Sequence, residues 1–184
     1  MQPAKPTGKP LVEFHPLTHV VFGDAANVQD EITSIAVGTT IAIVGTRLGN
    51  VFVLDHGVTN VRKIPTGTAS VHALAMDTEC QFVAAGASDG RITVWSLGSL
   101  VDPWLVEHSR QHVHSVALAP DYASQKDAFA LCAGGEDGRL ILHRRSFLGG
   151  QTLLHSGEGP VSQVRWRSCL IAWANDRGVK VYNA

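Results

Sequence analysis

The sequence predicts an all-β chain built from four repeated units, about four blades of an incomplete β-propeller. Three observations predict it. An apolar triplet spaced i, i+3, i+5 recurs four times along the chain. A glycine-bearing turn follows each triplet after one short apolar run. An alternating strand then closes each unit, and helical periodicity is nearly absent.

The triplets are Ile32/Ile35/Val37, Val71/Leu74/Met76, Val113/Val116/Leu118 and Val161/Val164/Trp166. Each is expected to be the first strand of its unit. The runs Ile41–Thr46, Phe82–Ser88, Phe129–Gly134 and Leu170–Ala174 are expected to be the second. Turns follow at Leu48-Gly49-Asn50, Asp89-Gly90, Asp137-Gly138 and Asp176-Arg177-Gly178. Asp-Gly between apolar runs suggests a type I′ hairpin, which needs positive φ at both central residues. The third strands are Val51–Leu54, Ile92–Trp95, Leu140–His143 and Val179–Tyr182. A fourth, outer strand is expected at Val61–Ile64, Trp104–Glu107 and Thr152–His155.

On the third strand, Val53 to Val94 spans 41 residues, Val94 to Leu142 spans 48, and Leu142 to Val181 spans 39. Blades of four strands repeat every ~40–45 residues. The long middle gap is assigned to a polar insertion at Pro120–Asp127. Gly45, Gly86 and Gly134 fall within second strands, where a glycine marks close approach of a neighbouring blade. None of them forms a GxGxxG or GxxxxGK[ST] phosphate cradle.

Residues 1–30 are expected to be an N-terminal tail with a lead-in or closing strand, around Leu11–Phe14 and Val20–Phe22. Residues 31–184 divide into blades at about 31–66, 67–108, 109–156 and 157–184. The last ends on its third strand, at Val181-Tyr182-Asn183-Ala184. The expectation is therefore the front part of a longer propeller. The isolated chain is expected to be marginally stable and to associate through free faces, because a blade needs neighbours to bury its apolar sides.

Composition excludes several classes. Hydrophobic residues make up 45% of the 184 and charged residues 17%, too apolar for a disordered chain. A net charge of −1 gives no basic field for phosphates, so no nucleic-acid partner is expected. No apolar run approaches the ~20 residues of a membrane span, and MQPAKPTGKP lacks a secretory core, so a cytoplasmic chain is expected. Cys80, Cys132 and Cys169 lack paired spacing and are expected to be reduced.

The units resemble WD-repeat blades, with departures. The Gly-His before the first strand is absent, and Trp95-Ser96, Leu54-Asp55 and Tyr182-Asn183 replace the Trp-Asp pair. A closer likeness lies in Leu153–Val161, Val164–Arg167, Leu170-Ile171-Ala172-Trp173-Ala174-Asn175 and Gly178–Tyr182. The first unit agrees with it. Over roughly residues 11–184 the chain resembles the N-terminal propeller of the vacuolar protein sorting 41 family, a subunit of the HOPS tethering complex. The resemblance implies a non-enzymatic scaffold in endosome-to-lysosome or vacuole traffic. The implied partners are the other HOPS subunits, a late-endosomal Rab or Arf-like GTPase and AP-3 pathway components. The implied location is peripheral, on late endosome, lysosome or vacuole. The alternative is a generic WD-repeat adaptor serving a ubiquitin ligase or another coat.

No catalytic, cofactor or metal residues are assigned, and partner-binding residues are left open. His108, His112 and His114 form a cluster in which alternation puts His112 and His114 on one strand face. Without cysteines or carboxylates at a ligand spacing, a loop or blade-edge cluster is expected rather than zinc. Trp95, Trp104, Trp166 and Trp173 are expected to pack between blades. Arg144-Arg145, Arg165 and Arg167, and the acids Glu136-Asp137 and Glu158, are expected to be solvated.

Overall fold

The computed structural model describes residues 21–22, 29–58, 60–122, 129–145 and 150–184. Among these the strands are β1 (Ile32–Val37), β2 (Ile41–Thr46), β3 (Asn50–Asp55), β4 (Val61–Pro65), β5 (Val71–Met76), β6 (Phe82–Ala87), β7 (Arg91–Ser96) and β8 (Trp104–Glu107). They continue as β9 (Val113–Leu118), β10 (Ala130–Gly135), β11 (Leu140–Arg144), β12 (Gly150–His155), β13 (Gln163–Arg167), β14 (Leu170–Asn175) and β15 (Gly178–Asn183). They pair in sequence order into three sheets of four strands and a last sheet, β13-β14-β15, of three. All pairs are antiparallel. These are the meandering blades of a partial propeller, and the strands expected within the four units lie at their expected places; Val21-Phe22 of the expected lead-in strand is helical instead.

The hairpin turns differ from the expected type. Asp89 and Asp137 do not have positive φ; only the glycines after them do, Gly90 at 85° and Gly138 at 70°. The Gly90 N–H donates to the Ala87 carbonyl at 3.2 Å and the Gly138 N–H to the Gly135 carbonyl at 3.1 Å. These are three-residue loops, a type I turn followed by a left-handed glycine. Each aspartate Oδ1 accepts the N–H two residues on, at 3.1 Å from Arg91 and 3.1 Å from Arg139. That local bond favours a right-handed aspartate, which defeats the type I′ expectation.

The core lies between blades. Ile43, Val51, Val53 and Ile64 of the first blade meet Val71, Val83, Ala85 and Trp95 of the second. The other face of the second, Ile92, Val94 and Val106, meets Val113, Val116, Leu131 and Ala133 of the third. Leu140 and Cys132 then meet Val161, Val164, Ile171 and Trp173. A middle blade is thus apolar on both faces, which is why β7 and β10 read as nearly continuous buried runs. Each large aliphatic buried this way stabilises by about 1.5–3 kcal/mol before entropy is counted.

Glycine sets how close the blades come. A Cβ on Gly45, Gly86 or Gly134 would stand 2.6, 2.6 or 2.5 Å from Cγ1 of Val71, Val113 or Val161, the valine that opens the next blade. Polar clasps reinforce the same seam. Ser34 Oγ donates to the Val71 carbonyl at 3.1 Å, and Ser115 Oγ accepts the Val164 N–H at 2.9 Å.

The insertion is not wholly polar in its packing. Tyr122 is buried and stacks edge-on against Phe82 and Phe129 at 5.0 and 5.2 Å. Residues 123–127 of that insertion lie outside the described residues, as do Leu11–Phe14 and Val20. Val21 and Phe22 are helical and cover Phe52 and Leu54 on the outer face of the first blade. At the other end, Val179 and Val181 are 75% and 61% exposed, although they stand where Ile92 and Val94 of β7 are buried.

Candidate functional site: the channel between the inner strands

The first strands β1, β5, β9 and β13 lie innermost and pack successively on one another. The space they line opens at two ends. At one, the apolar side chains Ile35, Val37, Leu74, Met76, Leu118 and Trp166, together with Arg165 and the polar backbone between them, line a cavity of about 470 Å³. At the other, Thr33, His72, His114, Gln163 and Arg165 line a polar cavity of about 320 Å³.

The polar end is shaped by three β-bulges. Ile32 pairs with Thr46 and Ser34 with Gly45, leaving Thr33 as the extra residue of β1. Val71 pairs with Ala87 and Ala73 with Gly86, leaving His72. Val113 pairs with Gly135 and Ser115 with Gly134, leaving His114. A bulge re-aims the extra side chain out of the alternating pattern. The same irregularity in three successive blades therefore sends three side chains to one end of the channel.

His72 lies flat against His112, with ring centroids 5.1 Å apart and planes 18° apart. His112 and His114 are 6.3 Å apart edge-to-face. His114 Nε2 is 2.7 Å from Glu136 Oε2. Burial, and then the neighbouring imidazoles His112 and His114, hold His72 below its usual pKa. Arg165 Nη1 donates to the Val164 carbonyl at 2.9 Å, which holds the guanidinium along the strand.

The histidine cluster read from the sequence is thus redrawn. His112 and His114 do sit together, His72 joins them, and His108 does not. His108 is buried between the second and third blades, with Nδ1 3.0 Å from His143 Nε2. Burial, followed by His108, pushes the His143 pKa down to about 4. Burial also lowers that of His108, against a smaller upward pull from Asp137. Among the described residues no group of three or more His, Cys, Asp or Glu is arranged to hold a metal ion. His72 could have been found in the sequence: it follows Val71 as His114 follows Val113.

The tryptophans pack between blades. Trp95 and Trp173 are buried, and Trp104 and Trp166 are partly buried against the same clusters. Arg144 and Arg167 are exposed, and Arg145 reaches Asp102 at 3.4 Å. Asp137 accepts from Arg139 Nε at 2.8 Å, and Glu158 is bound by Lys180 and Asn175 rather than left to solvent. Cys80 and Cys132 are buried and Cys169 is exposed, all three as free thiols.

Comparison with known proteins agrees with this architecture. Residues 24–184 match the family model Beta-prop_Vps41, described as "Vps42 beta-propeller". The chain is 38% identical over 156 residues to the vacuolar protein sorting-associated protein 41 homolog of Solanum lycopersicum, covering 84% of this chain and 16% of that protein. It is 36% identical over 155 residues to the Arabidopsis thaliana homolog, with the same coverage, and 26% identical over 157 residues to the human one. The chain thus spans 16% of the length of the plant relatives. Among solved structures, the RRP9 WD40 repeats superpose with a TM-score of 0.70 at 15% identity, covering 86% of this chain and 49% of that one. The computationally designed Ika4 protein superposes at 0.63 and 22% identity, covering 86% and 94%. The structural likenesses establish the fold alone. With a family match from residue 24 to the last residue and the same blade pattern in its sheets, the chain belongs to the Vps41 β-propeller family.

Proposed function

We propose that the chain is a non-enzymatic scaffold of a HOPS-type membrane tether, acting in the sorting of vesicles and endosomes to the vacuole or lysosome. The observation that carries this reading is the family match over residues 24–184, supported by relatives named for vacuolar protein sorting. Binding is the whole of the proposed mechanism. Blades locked by buried apolar seams hold loops and channel ends at fixed spacing. A rigid surface of this kind loses little conformational freedom on binding. Several such contacts in one assembly raise the effective concentration of opposed membranes.

The partners in this reading are sister subunits of the tether, a late-endosomal Rab or Arf-like GTPase, and components of the AP-3 pathway. Membrane association would be peripheral and through those partners, on late endosome, lysosome or vacuole. No described helix is long and apolar enough to cross a membrane. The reading is tested by depleting the gene product in its native source and following a vacuolar cargo. Missorting of that cargo, rescued by re-expression, is expected; normal delivery would count against the proposal. Capture of the GTPase should depend on its nucleotide state, and indifference to nucleotide would remove the GTPase from the partner set.

A further inference from the structure

We propose that the histidine end of the channel is a binding site for a phosphoryl-type oxyanion. Nothing in the scaffold reading requires it, and it stands on this chain's own geometry. Thr33, His72 and His114 are the extra residues of three bulges, so three blades place a polar side chain on one cavity; the Thr33 hydroxyl is spent on the Val71 carbonyl, and the two histidines are left to face a ligand. The fourth inner strand adds Gln163 and the guanidinium of Arg165. Among the described residues no carboxylate is on the wall of that cavity. Its volume of about 320 Å³ is at the small end of ligand sites, enough for a phosphate with a modest substituent. Converging imidazole N–H groups, an amide and a guanidinium are the donors that phosphoryl oxygens select.

The charges around His72 are specific. From β9 and the residue before it come His114 and His112, from the turn after β10 comes Glu136, and from β13 comes Arg165; β1 contributes the uncharged Thr33 and Ser34. Partial desolvation, and then the imidazoles of His112 and His114, disfavour protonation of His72. An oxyanion beside His72 reverses the balance, because it favours the protonated ring. Binding should therefore take up protons and tighten as the pH falls through the histidine range. Glu136 lies on Nε2 of His114, where it fixes the ring by a hydrogen bond.

The chemistry is shared by soluble phosphates and by phosphorylated lipid headgroups, and the experiment separates them. Inorganic phosphate and pyrophosphate are titrated calorimetrically into the chain at constant ionic strength, at about pH 6 and 7.5, in two buffers of different ionisation enthalpy. In parallel, flotation is measured with phosphatidylcholine vesicles with and without a phosphoinositide. Saturable binding is expected, tighter at the lower pH and with proton uptake. Arg165→Gln and His72→Gln should each weaken it about tenfold to a hundredfold, the usual loss for a hydrogen bond to a charged group. Both side chains are exposed, so these variants should keep the wild-type Tm. Arg62→Gln, on the outer strand β4, should leave binding unchanged. Flotation that needs the phosphoinositide and fails with Arg165→Gln identifies a headgroup; binding of the soluble phosphates alone identifies a soluble ligand. Absence of saturable binding in both arms overturns the proposal, and so does an equal loss in the Arg62 and Arg165 variants.

Discussion

Replacing Gly86 by alanine should weaken the joint between the second and third blades. The added methyl would stand 2.6 Å from Val113 Cγ1, 3.0 Å from Val113 Cβ and 3.1 Å from Ala73 Cβ. All of these lie inside ordinary contact distance and belong to stiff or backbone-anchored groups. Overpacking of this kind costs about 1–3 kcal/mol. The φ of Gly86 is not in the left-handed region, so alanine also restricts the unfolded chain and returns about 0.4–1 kcal/mol. The net expectation is a loss of about 1–2 kcal/mol. Val113→Ala alone empties a fully buried site and should cost about 1–3 kcal/mol, scaled from the per-methylene cost of Ile→Val. Combined, the two should cost less than their sum, because trimming Val113 makes room for the new methyl. A coupling of about 1 kcal/mol is expected for groups in contact. The assay is urea unfolding followed by tryptophan fluorescence, reading the midpoint at unchanged slope. Gly98→Ala is the control: among the described residues its Cβ would find only Ser96 Oγ, at 3.7 Å, and it should be neutral or slightly stabilising. A neutral Gly86→Ala, or strict additivity with Val113→Ala, would refute the claim that this seam is set by glycine.

The buried histidine pair makes stability depend on pH. The His143 pKa falls from 6.5 to about 4 on folding, so the unfolded chain takes up a proton that the folded chain refuses. Stability is therefore whole above about pH 6.5 and is lost as the pH falls toward 4, by about 3 kcal/mol at full effect. Thermal unfolding across that window should flatten in His143→Phe; an unchanged slope would contradict the burial argument. Cys132 is buried with its pKa pushed up to about 12, whereas Cys169 is exposed. A thiol reagent should modify Cys169 in the native chain and Cys132 only on unfolding, as read by peptide mapping. Val94→Ala should cost about 1–3 kcal/mol, whereas Val181→Ala, its equivalent on the exposed face of the last sheet, should cost under about 0.5 kcal/mol. Equal costs in chemical denaturation would mean that the β15 face is covered in solution.

The strands were legible because each unit repeats one apolar pattern, so four weak signals align. Gly45, Gly86 and Gly134 were readable as close approaches for the same reason. The turn type was not, because Asp-Gly serves both a type I′ turn and a type I turn with a left-handed glycine, and an Asp side chain bonding two residues ahead decides between them. The bulges are written in the three-residue first step of each triplet, one residue longer than strand alternation gives, but that step shows only that a residue is extra and not where its side chain goes. His72 was therefore not joined to His114. The parting of His108 from His112 depends on the residue after β8 meeting β11 of the next blade, a contact between residues 35 apart. Tyr122 was hidden in a polar stretch because one aromatic ring carries no periodicity.

The most direct test of the scaffold reading is affinity purification from the native source, with a tag at the endogenous locus and mass spectrometry as the readout. Recovery of the other tether subunits together with a late-endosomal GTPase is the predicted result. Recovery of an unrelated ubiquitin-ligase or coat assembly, with no tether subunit, would contradict it.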